Sequence, residues 1–446
     1  VTKQTGPAQI EINGVSYNAQ PGQRPILVDG CDTISKLFQT RCMALQDRTA
    51  HREKDMGIWK SYSWSTYWEQ AKWIGLGLVS LGLQRGEVVS ILSEDRREWL
   101  YTDMGVQGVG GIASGVYTTD SAAQLAYLVN DSDSRFLFVE NDEQLDKYLE
   151  VAGEMPGLAK VIIYDRDGLH DLDQDKCIFI EDLCALGRAY EAKHPGAFEA
   201  EIAKSKPEDT AMLIYTSGTT GMPKGAMLGH ENVMASMESG ARALAVDPDD
   251  EQLCFLPLCH ILERNVSVYF PLAAASTVNF AESPETVFDN MQEISPATFF
   301  AVPRVWEKIY SRVLVLAQEA TPIGRWAFER AIKAGQARAE YVMYGKEPPA
   351  AVAANYAFWD FLVLRNLRRM LGLDRIRRSG SGAAPISPEL LNWFASIGVP
   401  VLEGYGMTES SGVITINTIG DNRIGTVGTA VEGAEVRIGD GGEIQY

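Results

Sequence analysis

Apolar positions recur at helical spacing between residues 67 and 81, where Trp68, Ala71, Ile74 and Leu78 share one side. That period predicts an amphipathic helix. Gly82-Leu-Gln-Arg-Gly86 stops it, and the unbroken run Val88-Val-Ser-Ile-Leu92 reads as a buried strand. The alternation continues with a helix at 124–128 and strands at 135–139 and 161–164. Residues 166–206 are polar and irregular and read as a connection, after which 211–215 is again a strand. Ser283-Pro284 predicts a helix start, with Val287, Met291 and Ile294 as its apolar face. A strand at 298–302, a helix from Pro303 with Trp306, Ile309 and Val313 on one side, and a strand-like run at 399–402 follow. Such βαβ alternation predicts an α/β fold, a parallel sheet covered by helices. Beyond residue 402, short strands and glycines (Gly425, Gly428, Gly433, Gly439, Gly441, Gly442) predict a β-rich subdomain.

The length, 446 residues, allows about three domains or subdomains. A net charge of −19 repels nucleic acid and, in general, anionic membrane. No apolar run reaches the roughly 18 residues of a spanning helix. The first ten residues do not resemble a signal peptide. A cytoplasmic location is expected, with peripheral contact at the inner membrane face left open, and a homodimer is one open oligomeric state. The six cysteines form no CxxC pair and the five histidines are scattered, so buried free thiols are expected and no zinc constellation stands out.

Candidate chemistry centres on Tyr215-Thr-Ser-Gly-Thr-Thr-Gly-Met-Pro-Lys-Gly225. A strand running into three glycines, four hydroxyl residues and a lysine makes a phosphate cradle. Glycines turn backbone N–H groups onto an anion, hydroxyls add donors, and Lys224 supplies a mobile charge. It is not a Walker A loop, because Lys224 lies between Pro223 and Gly225. Tyr405-Gly-Met-Thr-Glu409 adds an aromatic face, a hydroxyl and a carboxylate after a strand end, where open α/β sheets bind ligands. Tyr405 is suited to stack on a base, Thr408 to reach a phosphate, and Glu409 to hold Mg²⁺ together with Thr216. Ser379-Gly-Ser-Gly-Ala-Ala-Pro385 has side chains small enough for a flat ring to lie on backbone, and His260 closes the apolar run Leu256-Pro-Leu-Cys-His260.

In order and wording these segments, with Gly425-Thr-Val-Gly428, resemble the adenylate-forming superfamily of acyl-CoA synthetases, luciferase and peptide-synthetase adenylation domains. Leu256-Pro-Leu-Cys-His-Ile-Leu-Glu-Arg264, Phe300-Ala-Val-Pro-Arg-Val-Trp-Glu-Lys308 and Arg377-Arg-Ser-Gly-Ser-Gly-Ala-Ala-Pro385 look most like bacterial long-chain fatty acyl-CoA synthetases. The resemblance runs from about Asp32 onward. It implies two helix-covered, largely parallel sheets packed together, with subdomains near 32–205 and 206–400, and a distorted barrel beginning at 401–446.

The resemblance also implies roles. Thr216, Ser217, Gly218, Thr219, Thr220, Gly221 and Lys224 would embrace the ATP phosphates. Gly382, Ala383, Ala384 and Pro385, with Glu403, Gly404, Tyr405, Gly406 and Met407, would form the adenine site. Thr408 would contact the α-phosphate, and Glu409 with Thr216 the Mg²⁺. His260 would lie near the reacting carboxylate, and Val302 and Gly382 would border the acyl tunnel. Lys224, His260, Thr408 and Glu409 would thus be the catalytic set. Some long-chain members gate the tunnel with a tryptophan four residues after the histidine, and here that place holds Arg264. The sequence stops at Tyr446, ahead of the family's Thr-Gly-Asp ribose motif, hinge and small C-terminal domain with its catalytic lysine. A large N-terminal domain is therefore expected, one that binds ATP and is impaired in thioester synthesis.

The activity implied is activation of a long-chain fatty acid by ATP and Mg²⁺, then transfer to coenzyme A. The alternatives are a fatty acyl-AMP ligase with another acceptor and a non-enzymatic nucleotide or acyl binder. One basic cluster, Arg365, Arg368, Arg369, Arg375, Arg377 and Arg378, stands against the acidic whole. It reads as a solvated helix face, or as a contact for coenzyme A phosphates or anionic headgroups.

Overall fold

A computed structural model describes residues 8–12, 15–19, 27–169, 175–216, 221–244 and 246–446. The strands, in chain order, are Ala8–Ile12 (β1), Val15–Ala19 (β2), Thr49–Asp55 (β3), Ile58–Ser63 (β4), Val88–Leu92 (β5), Ile112–Val116 (β6), Ser134–Val139 (β7), Lys160–Ile163 (β8), Cys177–Phe179 (β9), Thr210–Thr216 (β10), Lys224–Gly229 (β11), Glu251–Cys254 (β12), Thr277–Phe280 (β13), Thr298–Ala301 (β14), Arg378–Ser381 (β15), Val401–Met407 (β16), Gly412–Ile416 (β17), Thr429–Ala430 (β18), Arg437–Ile438 (β19) and Ile444–Gln445 (β20).

Two large sheets carry the fold. The first has seven strands in the order β11-β10-β6-β5-β7-β8-β9, all parallel except the edge strand β11. The second has nine, β18-β17-β16-β15-β14-β12-β13-β3-β4, parallel from β16 to β3 and antiparallel at both edges. The sheets interleave along the chain: β3 and β4 join the second sheet through β13, while β10 and β11 join the first through β6.

Central strands read as continuous apolar runs because helices cover both faces, and every residue of β5 is buried. The helix Trp64–Ser80 starts where the Ser63 side chain accepts from the Thr66 amide. Ser121 and Gln124 close a reciprocal capping box on the helix Ala122–Asp131. One core joins the two sheets: Ile91, Phe138 and Ile214 of the first are continuous with Val278 and Phe280 of the second, through Phe38, Ile74 and Trp99 on intervening helices. A second core lies between the nine-stranded sheet and the C-terminal helices, with Trp306 edge-on to both Phe299 and Phe394.

Three expectations change. The stretch 166–206 is not irregular throughout: it holds β9 and the helices Ile180–Lys193 and Ala197–Ala203. Leu183, Cys184, Phe198 and Ile202 bury one thin face there, too few apolar residues to stand out amid the polar ones. The helix expected from Ser283 begins at Val287, because Thr286 Oγ1 exchanges hydrogen bonds with the Ser283 backbone and holds a turn instead. The β-rich end forms no closed barrel among the described residues. β17 and β18 extend the second sheet, and β19 and β20 pair as a separate hairpin. All six cysteines are buried, and no disulfide joins them.

The basic cluster is divided by its partners. Arg368 Nη1 donates to Asp360 Oδ1 at 2.8 Å and to the Ile397 carbonyl at 2.7 Å. Arg377 pairs with Asp247 at 3.2 Å and with Asp250, and Arg375 reaches Glu251 at 3.8 Å. Arg365 and Arg369 stay exposed.

Candidate active site

The parallel strands β10, β15 and β16 end at one cavity of about 470 Å³. Carboxyl ends of parallel strands are where α/β sheets leave backbone groups free for a ligand. β10 delivers Thr216 to this wall, and β11 leaves it again. Thr216 lies directly opposite Lys224 in that antiparallel pair. Lys224 itself is exposed and is not part of the cavity lining. Gly221 sits at φ 109°, a backbone conformation that needs glycine. Ser217, Gly218, Thr219 and Thr220 lie outside the described residues.

β15 and β16 bring Ser381, Gly382, Ala383, Gly404, Tyr405, Gly406, Met407, Thr408 and Glu409 onto the same wall. Ala383 holds a left-handed φ of 66°, which turns the chain sharply after β15. Gly406 is demanded by close packing: a Cβ there would stand 1.9 Å from the Gly412 carbonyl oxygen, across a bulge between β16 and β17. On the neighbouring strand the Phe300 ring covers Gly380, where a Cβ would meet it at 2.3 Å. Ala384, Pro385, Glu403 and Val302 do not line the cavity, whereas Phe300 and Ala301, just before Val302, do. Glu403 is buried beneath the wall, and burial raises its carboxyl above the usual range.

His260 caps the short helix Ile261–Arg264, its Nδ1 accepting from the Leu262 amide at 3.1 Å. Nδ1 is thereby an acceptor and Nε2 carries the proton. Burial lowers the imidazole's pKa, which keeps it neutral. His260 lines both the large cavity and an adjoining cleft of about 330 Å³. Thr216 and Thr408 line both as well, Tyr215 and Pro223 flank the cleft from the glycine-rich segment, and its other polar residues are Tyr117, Asp120 and Gln124. These last three follow β6. The apolar run 112–116 was the available signal, since a parallel strand's carboxyl end marks candidate ligand residues.

Away from the polar wall the cavity is apolar, formed by Leu244, Leu262, Val266, Phe270, Phe300 and Leu402. Several come from the helix–π-helix stretch 261–274, whose residues the sequence pattern did not assign to the site. Arg264 is no part of the lining. It is wholly buried, paired with the equally buried Asp103 of the helix Arg97–Gly108, and its guanidinium lies 4.9 Å from the Trp99 ring centre. It is a strut that ties the helix bearing His260 to the first sheet's cover.

Residues 38–446 match the family described as AMP-binding enzyme. The chain belongs to that family. It is 32% identical over 414 residues to the long-chain-fatty-acid–CoA ligase ACSBG2 of Xenopus laevis, covering 91% of this chain and 55% of that one. It is 33% identical over 392 residues to the long-chain-fatty-acid–CoA ligase FadD15 of Mycobacterium bovis, covering 87% of this chain and 62% of the relative. The chain thus spans little more than half the length of these relatives.

Among solved structures, ATP-bound MatB from Rhodopseudomonas palustris superposes with a TM-score of 0.65 at 22% identity, over 92% of this chain and 68% of that one. The anthranilate CoA ligase AuaEII, solved with anthranoyl-AMP, gives 0.68 at 20%, over 93% and 67%. The N-terminal domain of FACL13 from Mycobacterium tuberculosis gives 0.66 at 18%, over 93% and 87%. At these identities the structures establish the fold: the two sheets seen here are those of adenylate-forming enzymes. Among the described residues no helix is long and apolar enough to cross a membrane.

Proposed function

We propose that the chain is the large N-terminal domain of an AMP-forming long-chain fatty acid–CoA ligase, and that ATP and the acid meet in the 470 Å³ cavity. The observation that carries this is the cavity's two-part character. Hydroxyls, an imidazole and a carboxylate converge at one wall, and a chamber of leucine, valine and phenylalanine continues from it. The two long-chain ligase relatives support the same substrate class.

A carboxylate is a poor acyl donor because its leaving group is oxide. Attack of a carboxylate oxygen on the α-phosphorus of ATP forms the acyl–AMP anhydride, with pyrophosphate leaving along the opposite bond. Attack of a thiolate on the acyl carbon then releases AMP. No enzyme nucleophile is needed, so the work is positioning and charge neutralisation. The phosphate loop, including Ser217 to Gly221, and Lys224 hold the polyphosphate. Tyr405 and the 382–383 and 404–407 backbones take the adenine. Thr408 donates to the α-phosphate, and neutral His260 offers its Nε2–H to the acid's carboxylate. The acyl chain lies among Phe300, Leu402 and Val266, bordered by Gly382 and Ala301.

A hydroxyl and a carboxylate, Thr216 and Glu409, are hard oxygen donors on one cavity wall, a set that fits Mg²⁺. The cation would neutralise phosphate charge there. Coenzyme A is the acceptor. The test is pyrophosphate release across acids from acetate to C20. Each buried methylene contributes about 0.8 kcal/mol, so kcat/KM rises with chain length to a limit. A preference for acetate or benzoate would refute the substrate class.

A further inference from the structure

The acidic chain carries one basic region. Residues 303–378 hold fourteen Lys and Arg against seven Asp and Glu, in a protein whose net charge is −19. Most of this stretch is a helical layer on the outer side of the second core: Pro303–Glu319, Pro322–Val342, Ala350–Trp359 and Arg365–Leu371. Its outer surface is unusually apolar. The helix Ala350–Trp359 buries none of its residues although it contains no charged side chain. Ile323 is 78% exposed, Phe361 69% and Trp326 53%, with Phe358 and Leu362 also in the open.

These groups are neighbours. The Trp326 and Trp359 rings are 5.8 Å apart, and Phe358 stacks edge-on to Trp359 at 5.2 Å. Arg330 lies over Trp326 at 5.7 Å, and two exposed arginines are close in the chain to the array, Arg325 next to Trp326 and Arg365 four residues after Phe361.

We propose that this helical face is a peripheral docking surface for an anionic lipid bilayer. Aromatic and branched side chains settle at the boundary between headgroups and acyl chains, and arginines beside them pair with lipid phosphates. The surrounding acidity makes the attraction local, because the rest of the protein is repelled by the same surface. A second copy fits the face poorly, since two-fold pairing sets one basic patch against another. Nucleic acid gives the exposed Ile323, Phe361 and Leu362 nothing to bury against.

The test is co-sedimentation of the intact protein with phosphatidylcholine vesicles, with and without phosphatidylserine, at low and high salt. Three variants accompany it: Phe358→Ser/Phe361→Ser, Arg325→Gln/Arg365→Gln, and Ile58→Ser as a control on the β3–β4 hairpin, where Ile58 is also exposed. Circular dichroism and thermal melts confirm that each is folded. The expected result is binding that needs phosphatidylserine and weakens with salt. The arginine pair should lower it about thirtyfold, roughly fivefold for each charge near the surface. The phenylalanine pair should lower it at least tenfold, on the order of the apolar area withdrawn. The control should bind as wild type. Equal binding to both vesicle types, no binding, or undiminished binding by either face variant would overturn the proposal. So would a dimer in lipid-free solution that the phenylalanine variant abolishes.

Discussion

Replacing Gly406 by alanine adds a single methyl group at the wall of the cavity, and its consequence follows from three distances. The new Cβ would stand 1.9 Å from the Gly412 oxygen, 2.7 Å from the Gly412 carbonyl carbon and 2.9 Å from the Val413 Cα. All three are backbone atoms, so no side chain can swing away. Relief to ordinary contact requires β16 and β17 to separate by more than 1 Å. Overpacking of this kind costs about 1–3 kcal/mol of stability. The same strand carries Tyr405, Thr408 follows it directly, and a shift of about 1 Å in positioning groups lowers a rate roughly a hundredfold.

Gly382→Ala is the matched control: its Cβ would meet only the Gly404 oxygen, at 3.6 Å, and the backbone accepts it. That methyl projects where the adenine is proposed to lie. Pyrophosphate-release kinetics and urea unfolding separate the two. Gly406→Ala should lose both stability and kcat, whereas Gly382→Ala should keep its stability and raise KM for ATP. A Gly406→Ala protein with wild-type stability and rate would refute the argument from packing to site geometry.

Lys224→Ala, at an exposed strand start, should leave the unfolding free energy within about 0.5 kcal/mol of wild type and sharply reduce adenylation; equal rates would remove the lysine from the phosphate site. Glu409→Gln keeps the shape and removes the charge, so half-saturation by magnesium should move to higher concentration, and an unchanged titration would dismiss the residue as a ligand. Burial pushes the Glu263 carboxyl up to about 7 from its ordinary 4.5. The folded state therefore holds a proton that the unfolded chain releases first, and the associated stability is present below pH 4.5, fades as pH rises, and is gone above 7. Glu263→Gln lacks this loss. Relative to wild type it should gain about 3 kcal/mol between those limits, at 1.36 kcal/mol per pH unit, and a pH-independent difference in urea unfolding would contradict the assignment.

Local pattern was a good guide where an element's own residues decide it. β5 is bounded in the structure as the run 88–92 suggests, and β10 opens the glycine-rich loop because buried apolar residues precede the hydroxyls. Thr408 and Glu409 could be read as candidate ligands because they follow a strand end, and Tyr405, expected beyond that end, lies within β16 itself. Pairings across long sequence distance were not legible: nothing in 49–55 announces that β3 adds to β13 two hundred residues later. The apolar half of the cavity was hidden for a related reason. Leu244, Val266 and Phe270 look like any core residues until β14 and β16 are set opposite them. Arg264 shows the converse, a charge in a motif next to the site that turns inward to meet Asp103.

In the proposed reaction a fatty acid's own oxygen attacks the α-phosphorus of ATP in this cavity. This attack is tested most directly by incubating the protein with palmitate labelled with ¹⁸O in both carboxyl oxygens, ATP, magnesium and hydroxylamine, which captures the acyl group without need of coenzyme A. Mass spectrometry of the nucleotide and phosphate products then follows the label. The expected products are acyl hydroxamate, unlabelled pyrophosphate and AMP carrying a single ¹⁸O. Label in inorganic phosphate with ADP as the nucleotide product, or AMP without label, would contradict the proposed reaction.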